Sequence, residues 1–249
     1  MRGYSSEAVS GTSTLAPEAV EPLLRGRFGR PYIYREECES TQELVRGLPE
    51  GALAATDNQT AGRGRRGRQW VSRPGTGVLL SLSLWPETPP ERLAAFSLVL
   101  AEAVCEALDD RAAVRWPNDV LVAGRKLAGV LPELRDGQLV AGIGINADAT
   151  AAQLPQEARV PATSLRVLRG GPVDRAAVLA DVVLAVERRY DRFEREGFRG
   201  LTRDELAGRS VQLAGDGAGR VDGIDGDGRL VVDGVAHTSA EVERVDVSP

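Results

Sequence analysis

The chain has 249 residues, 42% of them hydrophobic and 27% charged, and its 31 basic and 36 acidic side chains leave a net charge of −5. That length suits one large domain, or one with a small appendage, and the composition excludes wholesale disorder and collagen-like repeats. The acidic balance gives no whole-chain attraction to nucleic acid, so any cationic work must be local.

No apolar run approaches the roughly 20 residues of a membrane span, and the N-terminus lacks the apolar core of a signal peptide. Cys38 and Cys105 form no close-spaced pair. A cytoplasmic protein with reduced thiols and no membrane partner is therefore expected. His237 is the single histidine, which removes most zinc hydrolase schemes, and no HExxH, GxSxG or P-loop string occurs.

In chain order, residues 1–14 read as a polar tail, and Pro17 opens a short helical stretch reaching Leu24. Ser40-Thr41-Gln42-Glu43 matches a capping box and predicts a helix start. Strands are expected over 51–59 and Gly77–Trp85, with an Arg/Gly segment between them. Helical spacing runs from Glu91 to Leu108. Ala113–Trp116, Asp119–Val122, Gln138–Asn146 and Ser164–Leu168 read as further strands. Asp174 suits an N-cap for a helix to about Phe198, with Val178, Val182, Ala185 and Tyr190 on one face and a solvated Arg/Glu face opposite.

After Arg203 the texture changes to short β-like pieces between glycine turns, SVQL, GRVDGI, GRLVVDG and EVERVDV, which suggests a small β-barrel over 204–249 behind a larger unit over 15–203. Asp222, Asp225 and Asp227 lack calcium-loop spacing and read as turn residues.

Gly62-Arg63-Gly64-Arg65-Arg66-Gly67-Arg68-Gln69-Trp70 contains a literal GxGxxG. No helix follows at once, as a dinucleotide site requires, because Ser72, Pro74, Gly75 and Gly77 come next. Clustered arginines repel one another and glycines add backbone freedom, so the empty segment is expected to be mobile and to be ordered by a polyanion. Guanidinium forks suit phosphate or carboxylate oxygens, and Trp70 offers a face for a purine. On this segment alone that anion-binding reading, a solvated basic turn and an RNA-binding patch stand equally.

Lys126 is the single lysine, and Asn58, Asn118 and Asn146 are the only asparagines, in a chain rich in arginine and alanine. Keeping an ammonium where arginine is the habit points to a position that the larger guanidinium does not fit. Lys126 follows Arg115-Trp116-Pro117-Asn118-Asp119, in which an asparagine amide suits a base edge and a carboxylate suits a ligand or Mg²⁺. Gly142-Ile143-Gly144-Ile145-Asn146 places glycines in a strand, where a ligand or another chain segment can approach closely.

The strings ECEST, QTAGRGRRGRQW, RWPNDVL, RKLAGVLPE and GIGIN, in this order, resemble the biotin protein ligases, also called biotin–[acetyl-CoA-carboxylase] ligases, over about residues 31–249. The resemblance implies an α+β fold: a catalytic domain of the kind shared by class II aminoacyl-tRNA synthetases and biotinyl/lipoyl ligases, then an SH3-like β-barrel. It implies that biotin and ATP, with Mg²⁺, form biotinyl-5′-AMP and pyrophosphate. Biotin then passes to one lysine of a biotin carboxyl carrier domain.

Carried over by residue, Ser40, Thr41 and Gln59 become contacts to the biotin rings, with Gly62, Gly64, Gly129 and Leu131 beside them. Arg63, Arg65 and Lys126 fall near the carboxylate and phosphate as the catalytic cations. Arg66, Arg68, Trp70, Asn118, Asp119 and Asn146 fall on the ATP side, with Asp119 as a Mg²⁺ position. Arg115 departs from the family, which commonly has lysine there. The chain resembles the short members without the winged helix-turn-helix of the repressors, so no specific DNA binding is expected, and a homodimer is compatible. Two alternatives are a lipoate or octanoate ligase or transferase of the same superfamily and a non-enzymatic RNA-binding protein.

Overall fold

The structure, a computed structural model, describes residues 15–156, 158–213, 217–239 and 242. Its centre is a seven-stranded sheet in the order β1-β2-β3-β7-β6-β5-β4. The strands are β1 (Tyr32–Cys38), β2 (Leu53–Gln59), β3 (Gly77–Leu84), β4 (Ala113–Arg115), β5 (Asp119–Val122), β6 (Arg125–Arg135) and β7 (Gln138–Asn146). Only β1 and β2 run parallel; every other neighbouring pair is antiparallel.

Two short helices come early, α1 (Pro17–Val20) and α2 (Thr41–Leu44). Then follow α3 (Phe96–Leu108), α4 (Leu165–Arg169) and α5 (Arg175–Glu196). Helices α3 and α5 pack on each other across one face of the sheet, and Phe96 meets Tyr190 edge-on at 6.0 Å. Val178, Val182, Ala185 and Tyr190 are all buried, so the expected apolar face is the core face. Helix α2 lies against β2, β3 and β7. Every residue of β3 is buried, as a central strand covered on both faces requires.

The start of α5 is fixed twice. Asp174 accepts from the amides of Ala176 and Ala177 at 3.0 and 3.1 Å. The next residue, Arg175, is only 5% exposed and donates to Asp57 Oδ1 at 2.6 Å and to the Gly77 carbonyl at 3.0 Å. Asp57 also accepts from the Tyr34 hydroxyl at 2.6 Å. The buried ion pair therefore ties α5, β1, β2 and β3 together at the foot of the Arg/Gly segment.

A second, four-stranded antiparallel sheet follows: β8 (Ser210–Gln212), β9 (Ala218–Ile224), β10 (Leu230–Val232) and β11 (Val235–His237), with β8 and β11 at its edges. The molecule is thus a mixed α+β fold with a small separate β unit. The expected last strand, 241–247, lies outside the described residues apart from Val242. The tail over 1–14 lies outside them too. Asp225 accepts from the amides of Asp227 and Arg229, a turn role as the spacing suggested.

Four local expectations need correction. Ser164–Leu168 is not a strand: Ser164 caps α4 by accepting from the Val167 amide at 3.1 Å, and Gly170 ends the helix at φ 74°. Strands β1 and β6 were not anticipated. The stretch from Glu91 begins as a 3₁₀ helix over Pro90–Ala95 before α3. The capping box is unfulfilled: Ser40 accepts from the Gln42 amide at 3.4 Å, while Glu43 turns outward to Arg46 and Arg63 at 2.7 Å each.

Candidate active site

The sheet face opposite α3 and α5 carries a cavity of about 510 Å³, within the roughly 300–1,000 Å³ usual for small-molecule sites. Its two ends differ in chemistry. One end is neutral and hydrogen-bonding, built by α2, β2 and β3 from Ser40, Thr41, Gln42, Gln59 and Ser81. Gln59 Oε1 accepts from the Thr41 amide at 2.9 Å and from its hydroxyl at 3.2 Å, and that hydroxyl shares a 2.8 Å hydrogen bond with Ser81.

The floor comes from β6 and β7, where Leu131 pairs with Gly142 and Gly129 with Gly144. Both glycines of β7 are functional spaces. A Cβ on Gly144 would lie 2.6 Å from the Trp70 ring, and one on Gly142 would lie 2.7 Å from Gln42 Nε2. Trp70 thus rests flat on glycine backbone, its Nε1 buried without a hydrogen-bond partner. Leu131, on the same face as Gly129, adds an apolar side chain to the middle, while Leu80 and Ile143 turn theirs into the core and line it with backbone.

The other end is cationic, lined by Arg65, Arg66, Arg68, Arg115, Lys126 and Arg159 around the single carboxylate of Asp119. Lys126 reaches it through a bulge. The β5–β6 register slips between Val120 and Leu121, so Val120 faces Ala128 and Leu121 faces Lys126. Residues three apart on a regular strand point to opposite faces, but the extra residue returns Lys126 to the face of Gly129. There its ammonium lies 2.6 Å from Asp119 Oδ1 and 5.4 Å over the Trp70 ring centre.

The backbone of Lys126 is pinned as well: its amide donates to the Pro161 carbonyl at 2.7 Å, and its carbonyl accepts from Thr163 at 2.9 Å. Burial, reinforced by the neighbouring guanidinium groups of Arg66 and Arg68, holds Arg65 below the ordinary arginine range, while Asp119 acts the other way. Arg65 and Arg66 both donate to Ser239, from the side chain to its hydroxyl and carbonyl respectively, so the Arg/Gly segment is fastened to the residues that follow β11.

Of the residues singled out from the sequence, Ser40, Thr41, Gln59, Arg63, Gly64, Arg65, Arg66, Arg68, Trp70, Asn118, Asp119, Lys126, Gly129 and Leu131 line this cavity. Gly62 and Asn146 do not. Gly62 sits behind the wall, its carbonyl accepting from the Trp70 amide at 3.0 Å. Asn146 is buried and donates to the Lys126 carbonyl at 3.4 Å. Asn118 donates to the Val130 carbonyl at 2.7 Å. Both amides are thus turned to the backbone of β6, the strand that carries Lys126.

The Arg63 guanidinium is not brought to Lys126. It pairs with Glu43 at 2.7 Å and approaches Glu133 at 3.7 Å, and Glu133 lies seven residues beyond Lys126 on β6, roughly 23 Å along an extended strand. Arg46, also bonded to Glu43, is the main cause that holds the Glu43 carboxyl below its usual range.

Sequence reasoning missed Gln42, Ser81, Ala158, Arg159, Val160, Ser239 and Val242, which also line the cavity. Ser81 sat in the recognised alternation of β3, a signal that could have been used. The 158–160 segment and Ser239 carry no local pattern at all. No group of three or more His, Cys, Asp or Glu suited to a metal occurs among the described residues. A Mg²⁺ ion carried on nucleotide phosphates needs only one or two carboxylates; the lining holds one, Asp119, with Oδ1 on Lys126. None of the described helices is long and apolar enough to cross a membrane.

Residues 35–149 match the model of the biotin/lipoate A/B protein ligase family. The chain is 35% identical over 228 residues to the bifunctional ligase/repressor BirA of Bacillus subtilis (strain 168), covering 83% of this chain and 70% of that protein. It is 34% identical over 215 residues to the biotin–[acetyl-CoA-carboxylase] ligase of Paracoccus denitrificans, covering 78% and 89%. Among solved structures, the biotin protein ligase from Aquifex aeolicus in complex with biotin and ATP aligns with a TM-score of 0.69 at 28% identity, over 87% of this chain and 95% of that one.

Proposed function

This chain belongs to the biotin/lipoate A/B protein ligase family, and from that premise we propose that it is an ATP-dependent biotin–[acetyl-CoA-carboxylase] ligase. The observation that carries the choice of biotin is the polarity of the cavity. A neutral hydrogen-bonding end, an apolar middle and a cationic end match a ligand with a cyclic urea, an aliphatic chain and a carboxylate. Lipoate, with no hydrogen-bonding ring, would gain no hydrogen bond from the polar end formed by Ser40, Thr41, Gln59 and Ser81, which favours the ring that can make them.

In the first step a biotin carboxylate oxygen attacks the α-phosphorus of ATP. The bond to the β-phosphate oxygen breaks, pyrophosphate leaves and biotinyl-5′-AMP forms. Two anions approach only where cations neutralise them, and the fixed charges of Lys126 and Arg65 supply that at the cationic end. Trp70 provides the surface for the purine. Asp119 would hold Mg²⁺, which neutralises phosphate charge when bound. Asp119 meanwhile orients Lys126, whose backbone Asn146 supports.

In the second step the neutral amine of a carrier lysine attacks the acyl carbon, AMP leaves, and the amine gives up a proton as the amide forms. The Arg/Gly segment, fastened through Arg65 and Arg66 to Ser239, keeps water from the mixed anhydride.

The reading assigns catalysis to residues 15–203 and the SH3-like barrel to 204–249. The carrier is a biotin carboxyl carrier domain of a biotin-dependent carboxylase, met in the cytoplasm. No DNA-binding step belongs to the proposal, and sedimentation distinguishes a monomer from the homodimer that the family likeness admits. Biotin-dependent exchange of pyrophosphate into ATP tests the activity. Exchange is expected with biotin and not with lipoate or octanoate; exchange with lipoate alone would favour a lipoyl ligase, and salt-dependent RNA binding without exchange would overturn the enzyme reading.

A further inference from the structure

Gln42 stands at the neutral end of the cavity and is 3% exposed. Its Nε2 donates to the Leu131 carbonyl at 2.8 Å. That bond fixes the amide's orientation, since turning it over would set oxygen against oxygen. Gly142 makes the placement possible, because any Cβ there would lie 2.7 Å from Nε2 and 3.1 Å from the Leu131 carbonyl oxygen.

Gln42 Oε1 is then a buried acceptor with no partner. Its neighbours are satisfied: Gln59, Thr41 and Ser81 bond to one another. A buried acceptor left unpaired is costly and rare in native proteins, and the other such atoms among the described residues are the donor Trp70 Nε1, also on this cavity, and carboxylate oxygens of Glu194 and Glu205 outside its lining.

We infer that Gln42 is a specificity-determining residue for the ring end of the substrate, its Oε1 accepting a ring N–H of the cyclic urea. The inference rests on the biotin reading above. A cyclic urea carries two N–H donors and a carbonyl. The dithiolane ring of lipoate carries none, so filling this acceptor favours the urea. Oε1 is covered in the empty chain, so the inference requires the side chains around it to move on binding while the Leu131 hydrogen bond holds the amide, a rotamer change of the kind common at binding sites.

The test measures KM in pyrophosphate exchange for biotin and for its two singly N-methylated ring isomers, with the unmodified chain and with Gln42→Met, which keeps length and volume but removes the acceptor. In the unmodified chain one isomer is expected to raise KM roughly tenfold or more, the size of a lost buried hydrogen bond. In Gln42→Met the KM for biotin rises similarly, that isomer is no longer worse than biotin, and the KM for ATP stays within about twofold. A merely structural glutamine would lower thermal stability and move every substrate alike.

The inference is overturned if both isomers serve the unmodified chain as well as biotin does, or if Gln42→Met keeps the biotin KM or still discriminates. Should Gln42→Met fail to fold, Gln42→Asn, which withdraws the acceptor by one methylene, is expected to lose the same discrimination. Should both fail, the isomers with the unmodified chain decide. Absence of any biotin-dependent exchange in the unmodified chain would instead sink the biotin reading itself.

Discussion

Replacing Lys126 by arginine tests why one lysine persists among 31 basic residues. The ammonium is 2.6 Å from Asp119 and 5.4 Å from the Trp70 ring centre, and a Cβ on Gly129 would sit 3.4 Å from Nζ. A planar guanidinium cannot keep the short contact to Asp119 in that space without displacing Trp70. Positive charge is retained, so the loss falls on geometry. Misplacing one fixed charge at a reacting centre costs about 10²–10³ in rate, or about 2.7–4 kcal/mol.

The pair is partly exposed, 28% and 22%, so its share of stability is about 0–1 kcal/mol. That corresponds to a shift of less than about 4 °C for a chain of this size. The assay is biotin-dependent pyrophosphate exchange beside a thermal melt. Unchanged exchange in Lys126→Arg would refute the reasoning, and so would a melting loss large enough to account for the lost activity.

Gly144→Ala should lift Trp70 from the floor, since the new Cβ would stand 2.6 Å from the ring; the KM for ATP is expected to rise at least tenfold, and an unchanged KM would contradict the placement of Trp70. Asp57→Asn leaves Arg175, 5% exposed, without its charged partner, a loss of about 3–5 kcal/mol that a melt should read as a fall of roughly 10 °C. Arg65→Gly should release the adenylate and label bystander lysines, and a variant as discriminating as the parent would count against the role given to Arg65. Burial pushes the Cys105 thiol up to about 12. The folded chain thus holds that proton more tightly than the unfolded chain, and the associated stability, complete at neutral pH, should fall as pH climbs from about 9 toward 12. Melting temperatures that do not change over that range would contradict it.

Much of the scaffold was legible because period and punctuation agreed. Strand β7 ran over Gln138–Asn146 as its alternation indicated, and α5 followed the Asp174 cap. The glycines of β7 could be read as close-approach positions, but their occupants, the Trp70 ring and the Gln42 amide, come from segments about 70 to 100 residues earlier.

Strand β1 was hidden by its charged Arg35, Glu36 and Glu37, which an exposed edge strand tolerates. Strand β6 was masked by Gly129 and Pro132, which read locally as breakers; Gly129 serves as floor, and Pro132 lies within β6 beyond the stretch that pairs with β5, where a missing N–H is tolerated. Ser164–Leu168 misled because its apolar spacing fits either period, while the decisive cap and the stop at Gly170 were present in the sequence. The placement of Arg63 beside Glu43 and Glu133 depends on a register between α2 and β6 that no local pattern encodes.

The most direct measurement mixes the chain with biotin and ATP, passes it through a desalting column, denatures it and identifies the retained small molecule by mass spectrometry. Biotinyl-5′-AMP should be recovered at close to one per chain, and no acyl-nucleotide should be recovered when lipoate replaces biotin. Recovery of unreacted biotin alone, or of a lipoyl adenylate in equal yield, would contradict a cavity that seats a cyclic urea at one end and joins a carboxylate to a nucleotide at the other.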